Sequence, residues 1–382
     1  MLVAGLPLLI VELAAGRAFQ RGVYGAFTGI HRSARWAALF VGAVITVLVS
    51  YYLVITGWAL GYFLISLGGP LPGFNGFVSG FNSLYFFLLA AGVSISIVLL
   101  GVRNGIEAIS TRAVPVLVVA MVLLATYAVS LPGWGQALEF YLAPRPETLT
   151  NPSIWLLALG QVFFSVSLGM GVMITFGSYL PAKLPIIRSS VIVVTADVFI
   201  ALLGGMVIFP FVFSTGGEPT AGPGLTFDVL PGVFALVPMG GMVGPIFYLI
   251  LTLAAITSAI SILEVGVAIL EDAAGFSRLR SLAGISPIVL ILGTVAALSY
   301  SPAAWRLFNE PVLDVLDLLV GSYALPTGVL VTAIVLGWLS PRALLIREIS
   351  QERPELGRLA LWLVRFVVPA IIILAFIVGN LA

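Results

Sequence analysis

About ten stretches of this chain stay apolar long enough to cross a hydrocarbon core of roughly 30 Å, a distance that takes on the order of 20 helical residues. They lie near 1–16, 36–67, 83–101, 113–131, 153–180, 189–213, 242–270, 284–300, 313–339 and 359–381. Lipid supplies no hydrogen bonds, so each crossing must satisfy its own backbone, as a helix does. The pattern predicts an all-α, multi-pass transmembrane helical bundle, a single domain over residues 1–382. One interval, 214–241, reads "STGGEPTAGPGLTFDVLPGVFALVPMGG" and is too broken by Gly and Pro to span. It is expected as an extracellular loop with short helices.

Composition narrows the function classes. Hydrophobic residues make up 60% and charged ones 9% of the chain, against about 25% charge in soluble domains. Without cysteine there is no disulfide, thiol nucleophile or Cys-based zinc site, and one histidine, His31, excludes a multi-histidine metal site. The sparse, dispersed basic residues argue against nucleic acid as a partner. No nucleophile–base pair stands out among the intramembrane polar residues, so an enzyme is not expected.

The basic residues sort by loop. Of the 17 Lys and Arg, only Arg145, Arg306 and Arg365 fall outside alternate loops. Positive charge favours the cytoplasm, which places the loops after the first, third, fifth, seventh and ninth spans inside a cell membrane. The first residues, "MLVAGLPLLIVELAAGR", lack a basic start and carry Glu12, unlike a signal peptide. They read as a transmembrane helix whose beginning, and whatever precedes it, is missing.

Ionisable residues inside spans are functional candidates because lipid penalises them. Glu12, Asp197, Glu264 and Asp317 qualify. For Glu12 and Glu264 the plainer reading is a buried structural carboxyl locking two helices; Asp197 is balanced between that and an ion site. Asp317, with Asp314, is also consistent with marking the mouth of its helix. In "LAAITSAIS" (253–261), Ala254, Thr257 and Ser258 share one helix face. A carbonyl freed there by local distortion, plus two hydroxyls, would offer neutral oxygens to a monovalent cation. Ordinary helix–helix hydrogen bonding explains the same residues.

The fifth run contains "GQVFFSVSLGMGVMITFGSY" (160–179), with Ser165, Ser167, Gly169 and Gly171 inside seven residues. Glycine costs a helix about 1 kcal/mol per residue and serine competes for backbone bonds. Such a segment either unwinds around a cavity or packs closely through small residues.

These residues together resemble the neurotransmitter:sodium symporter family, particularly its bacterial amino-acid transporters. "GQVFFSVSLGMGVMITFGSY" is similar to the sixth helix of that family, and "GLPLLIVELAAGR" (5–17) to the second. "SYYLVITGW" (50–58), "DVFIALLGGMVIFP" (197–210), "AAITSAISILE" (254–264) and "VRFVVPA" (364–370) follow in family order as parts of the third, seventh, eighth and eleventh helices. The resemblance implies an inverted-repeat, broken-helix fold with a midplane site, and a Na⁺-coupled symporter importing a small, hydrophobic amino acid. It implies Tyr52 for the substrate carboxylate and Phe164 as the aromatic lid. Leu48, Ser167, Met170, Ala259 and Ile262 would line the side-chain pocket, with Ser165 and Ser258 also touching substrate. The first Na⁺ site would use Ser165 and Asp197; the second, Ala254, Thr257 and Ser258. Asp317, Gln161 and Phe164 would form the extracellular gate.

Two departures matter. Met170 stands where the family often has an aromatic residue, and Asp197 where asparagine is frequent. A fixed carboxylate at 197 would supply negative charge locally, so transport independent of chloride is expected. The first family helix is absent, and with it half of each Na⁺ site and the basic partner of Asp317. Two explanations compete: a start assigned too far downstream, or a non-transporting remnant or split half that needs a partner chain. These 382 residues alone are therefore expected not to support coupled uptake. Na⁺ is the only bound ion expected, with no organic cofactor; the partners are the amino acid, the lipid bilayer and, as an open question, a second copy of the chain.

Overall fold

The computed structural model describes residues 1–218, 224–350 and 353–379, and in these the chain is a bundle of helices. They are α1 (Gly5–Phe19), α2 (Val23–Ile30), α3 (Arg35–Ser66), α4 (Phe74–Val78), α5 (Asn82–Leu99), α6 (Ala108–Ala128), α7 (Trp134–Leu142), α8 (Pro152–Ser165) and α9 (Val172–Ser178). After them come α10 (Ile186–Ser214), α11 (Leu230–Leu236), α12 (Gly240–Ala274), α13 (Arg278–Ser299), α14 (Val312–Asp317), α15 (Leu325–Ile334), α16 (Arg342–Ile349), α17 (Pro354–Trp362) and α18 (Val368–Gly379). π-Helical turns join several of these: Val102–Glu107 leads into α6, Leu318–Ala324 links α14 to α15, and Leu363–Val367 links α17 to α18. A two-strand hairpin, Arg306–Leu307 with Glu310–Pro311, precedes α14.

Eight helical segments among the described residues are long and apolar enough to cross a membrane. The 15-residue α1 and the interrupted pair α8–α9, whose helices are each shorter than those eight, occupy the two remaining intervals expected from the sequence to cross. The first differs in extent, since residues 1–4 precede its helix. Within 214–241 the chain forms a π-helical turn, Leu225–Val229, and α11; residues 219–223 of that interval lie outside the described residues.

The two longest helices, α3 and α12, pack along each other at the centre, with α5, α6 and α13 around them. Large apolar side chains fill this seam: Trp58, Tyr51, Leu48 and Ile45 of α3 and Tyr248 of α12 are almost fully buried. One ring cluster anchors the 225–236 segment. The Tyr62 hydroxyl donates to the Phe227 carbonyl at 3.0 Å and the Tyr248 hydroxyl to the Thr226 carbonyl at 2.7 Å, while Phe227 stacks against both rings.

α1 lies against α9. Gly16 makes this approach workable, because a Cβ there would fall 1.9 Å from the Ile174 carbonyl oxygen. At its end Arg17 is buried and bonded three ways: Nε to Glu348 Oε2 at 2.8 Å, Nη1 to the Leu184 carbonyl at 2.6 Å, and Nη2 to the Glu348 carbonyl. One guanidinium thus fastens α1 to α16 and to the loop between α9 and α10. Breaking one side of such a buried pair typically costs about 3–5 kcal/mol.

Candidate functional site

The helix opens where glycine and serine make it weakest. α8 stops at Ser165 and α9 starts at Val172, leaving residues 166–171 in turns. Gly169 and Gly171 both have φ of 73°, a left-handed conformation that side chains with a Cβ resist by roughly 1–2 kcal/mol. Ser167 adopts it too, at φ 53°. The turn is held by the Leu168 amide donating to the Phe163 carbonyl at 2.9 Å. It also touches α15: a Cβ at Gly169 would sit 2.4 Å from the Val329 Cα.

An opened helix leaves amides that need acceptors. Glu12, fully buried on α1, reaches across and takes the Gly169 amide on Oε1 at 2.8 Å. Its Oε2 is buried without a partner among the described residues. Glu12 therefore braces the break itself.

Beside the break, the Ser165 hydroxyl donates to Asp197 Oδ2 of α10 at 3.1 Å. This brings together the two side chains expected at the first Na⁺ site. A carboxylate with an adjoining hydroxyl is a hard-oxygen pair, the donor chemistry that Na⁺ accepts. Ser165 is exposed and Asp197 half-buried.

Across the bundle, Tyr52 of α3 faces the Ser258 hydroxyl of α12. Tyr52, Ala254 and Ser258 line one cavity of about 280 Å³, with Ile55, Ala59, Leu251 and Ala255 as its apolar wall and Thr226 and Phe227 above. The distortion expected at Ala254 does not occur: α12 continues as α-helix from Gly240 to Ala274. Thr257 instead turns its hydroxyl back to the Leu253 and Ala254 carbonyls, both at 2.9 Å. An intact ladder with hydroxyls returned to it is the ordinary way a helix absorbs threonine. The Ala254 carbonyl is thus not freed, and the oxygens available here come from a helix that stays whole.

The remaining expected pocket residues divide by burial. Leu48, Met170, Ala259 and Ile262 are buried, whereas Phe164 is 46% exposed and Gln161 is exposed too. Asp317 lies near the Tyr51 phenol on α3; no hydrogen bond links it to Gln161 among the described residues. Its neighbour Asp314 takes the Tyr300 hydroxyl on both oxygens, at 3.0 and 2.9 Å.

Glu264 has partners that sequence reasoning missed. Arg278, at the start of α13, grips it from Nη2 at 2.5 Å and Nη1 at 3.1 Å, and the Tyr179 hydroxyl donates to it at 2.9 Å. The same arginine donates from Nε to the Val98 carbonyl at the end of α5, at 2.7 Å. This single cluster joins α5, the end of α9, α12 and α13. The available signal was an arginine immediately beyond the turn that ends Glu264's helix.

Residues 81–381 match the family described as "Sodium:neurotransmitter symporter family". Among similar curated proteins, the sodium-dependent transporter YhdH of Bacillus subtilis is 32% identical, with 98% of this chain and 86% of that protein aligned. A sodium-dependent transporter of Haemophilus influenzae is 31% identical, over 99% and 88% of the two chains. The solved structure of MhsT in complex with L-phenylalanine superimposes with a TM-score of 0.88 at 31% identity, covering 98% of this chain and 88% of MhsT.

Proposed function

The chain belongs to the sodium:neurotransmitter symporter family, and from that premise we propose that it imports a small hydrophobic amino acid together with Na⁺. Membership makes it a sodium-dependent membrane transporter with the fold of MhsT. The choice of substrate and the roles of individual residues are this reading's own.

One observation carries it: polar groups converge from separate helices at the helix break and at the cavity, within an otherwise apolar bundle. A zwitterion needs its carboxylate met by donors, and the Tyr52 hydroxyl with unwound amides near 166–171 supplies donors without importing a full charge. Leu48, Met170, Ala259 and Ile262, buried and off the cavity wall, would turn apolar surface to the substrate only as the bundle opens, and the flexible methionine adapts to side chains of different shape. Na⁺ would take Ser165 and Asp197 on one side, and on the other Thr257 and Ser258, joined by the Ala254 carbonyl once the Thr257 hydroxyl releases it. Phe164, still exposed, suits a lid, with Gln161 and Asp317 toward the outer gate. Alternating access would rock the helices of the break against α3 and α12. The comparison with MhsT supports an apolar substrate, because that protein binds L-phenylalanine.

Equilibrium binding of radiolabelled L-phenylalanine and L-leucine to the protein purified from its native membrane, with any segment that precedes residue 1 in place, tests this directly. Binding is expected in sodium chloride, absent in potassium chloride, and about tenfold weaker in Tyr52→Phe, as for loss of a hydrogen bond to a charged group. A panel of apolar amino acids showing no sodium dependence would overturn it. With Asp197 carrying fixed charge, sodium gluconate should serve as well as sodium chloride; collapse in gluconate would remove that part.

A further inference from the structure

Arg365, outside the loops that hold most of the basic residues, lies inside the last crossing segment, Pro354–Ile377. It occupies the π-helical turn Leu363–Val367, which packs on a second π-helical turn, Val335–Leu339, at the end of the preceding crossing. Gly337 lets the two backbones meet: a Cβ there would lie 2.9 Å from the Arg365 Cα. The Trp338 indole Nε1 donates to the Arg365 carbonyl at 3.0 Å, a carbonyl accessible because a π turn loosens the helical ladder. The guanidinium carbon stands 4.2 Å from the Trp338 ring centroid and 5.3 Å from that of Phe366.

This cation has a cradle but no counter-charge. Among the described residues it forms no ion pair and its side chain donates no hydrogen bond. Nε is buried and unpartnered, and the residue as a whole is half-buried. The rings around it form a half-exposed apolar group, with Trp338, Trp362 and Phe366 50%, 53% and 45% exposed. Tryptophan gathers at the headgroup level of a bilayer, and Trp338 sits one residue before its crossing ends. The following loop and helices carry Arg342, Arg347, Arg353 and Arg358 against Glu348, Glu352 and Glu355, a small positive excess at this end of the bundle.

We propose that Arg365, held on Trp338 and Phe366, binds the phosphate of an anionic phospholipid from the leaflet at the basic end of the bundle. A planar guanidinium fork matches two phosphate oxygens at once, and the ring faces pre-orient it. A lipid rather than a free phosphate is the occupant because the guanidinium sits among half-exposed aromatic rings carried by two crossing segments. Bound there, the lipid would bridge the π turns of two crossings.

Native mass spectrometry of the full chain, titrated with phosphatidylglycerol, phosphatidylcholine or inorganic phosphate, tests the assignment, with thermal stability in the same mixtures as a second reading. Phosphatidylglycerol is expected to bind and stabilise more than phosphatidylcholine, and inorganic phosphate to have no effect. Arg365→Gln should weaken phosphatidylglycerol binding about tenfold, the scale of a charge-assisted hydrogen bond, with Arg365→Lys intermediate. If Arg365→Gln does not fold, Arg365→Lys and Trp338→Phe carry the comparison. Equal binding of the two lipids, undiminished phosphatidylglycerol binding in the folded variants, or a phosphate effect matching the lipid effect would each overturn the proposal.

Discussion

Where α8 gives way to α9, the chain abandons its hydrogen-bond ladder over residues 166–171; α12 runs through the same bundle for 35 residues and never does. Both segments are proposed to present oxygens to ions and substrate, and their backbones differ in how they would do so. The break exposes backbone, so it needs glycine for its dihedral angles and a carboxyl, Glu12, brought from another helix to take the Gly169 amide. α12 keeps its backbone closed and presents side-chain hydroxyls, with Thr257 already bonded to its own turn. Opened backbone provides strong, directional donors at a high local penalty and depends on neighbours. Hydroxyls on a closed helix provide weaker acceptors at little penalty.

Matched substitutions should separate the two routes. The largest effect is expected for Gly169→Ala, which combines a left-handed φ with a Cβ 2.4 Å from the Val329 Cα. The dihedral penalty and overpacking together amount to about 2–5 kcal/mol, read as lost folded yield and a lower melting temperature in detergent. Its counterpart on the closed helix, Ala254→Gly, should cost only about 1 kcal/mol. Comparable melting shifts would show that the break is no more demanding than α12.

Glu12→Leu comes next. It strips the Gly169 amide of its acceptor in a buried place, which costs about 1–3 kcal/mol. Glu12→Gln keeps an acceptor oxygen and should recover most of that loss. A Gln variant as unstable as the Leu variant would mean that the carboxyl does more than accept this bond.

The smallest effects concern the ions. Asp197→Asn should raise the sodium concentration for half-maximal amino-acid binding about tenfold, because charge-assisted contacts are roughly twice as strong as neutral ones. Thr257→Val should raise it about threefold while shifting melting by less than about 1 kcal/mol, since its hydroxyl bond is local. A reversed order of the two sodium shifts would invert the comparison.

The parts of this arrangement legible in sequence were those set by one segment's own chemistry. Long apolar runs announce crossings because lipid demands them, and Gly169 with Gly171 announces a weak point because glycine does so anywhere. α12 was harder, since Ala254, Thr257 and Ser258 have the same composition whether the helix distorts or folds its hydroxyls inward. Partnerships between segments were not legible. Glu264 meets Arg278 only because the turn at Gly275 folds α13 back beside α12, and Arg365 meets Trp338 only because two π turns touch. Neither turn leaves a periodic signature, because a single extra residue in a helical turn barely alters an apolar pattern.

The Arg17–Glu348 link has a consequence in time rather than in space. Its partners are 331 residues apart, and at 5–20 residues per second a ribosome needs roughly 15–70 s to produce the second after the first. For that interval the end of α1 carries a guanidinium whose Glu348 acceptors do not yet exist, and whose Leu184 acceptor arrives only midway, while α3, α5, α6 and α12 are already being made. The early helix must therefore wait, solvated or attended, and α1 can be fastened to α16 only after nearly all the crossings have been made.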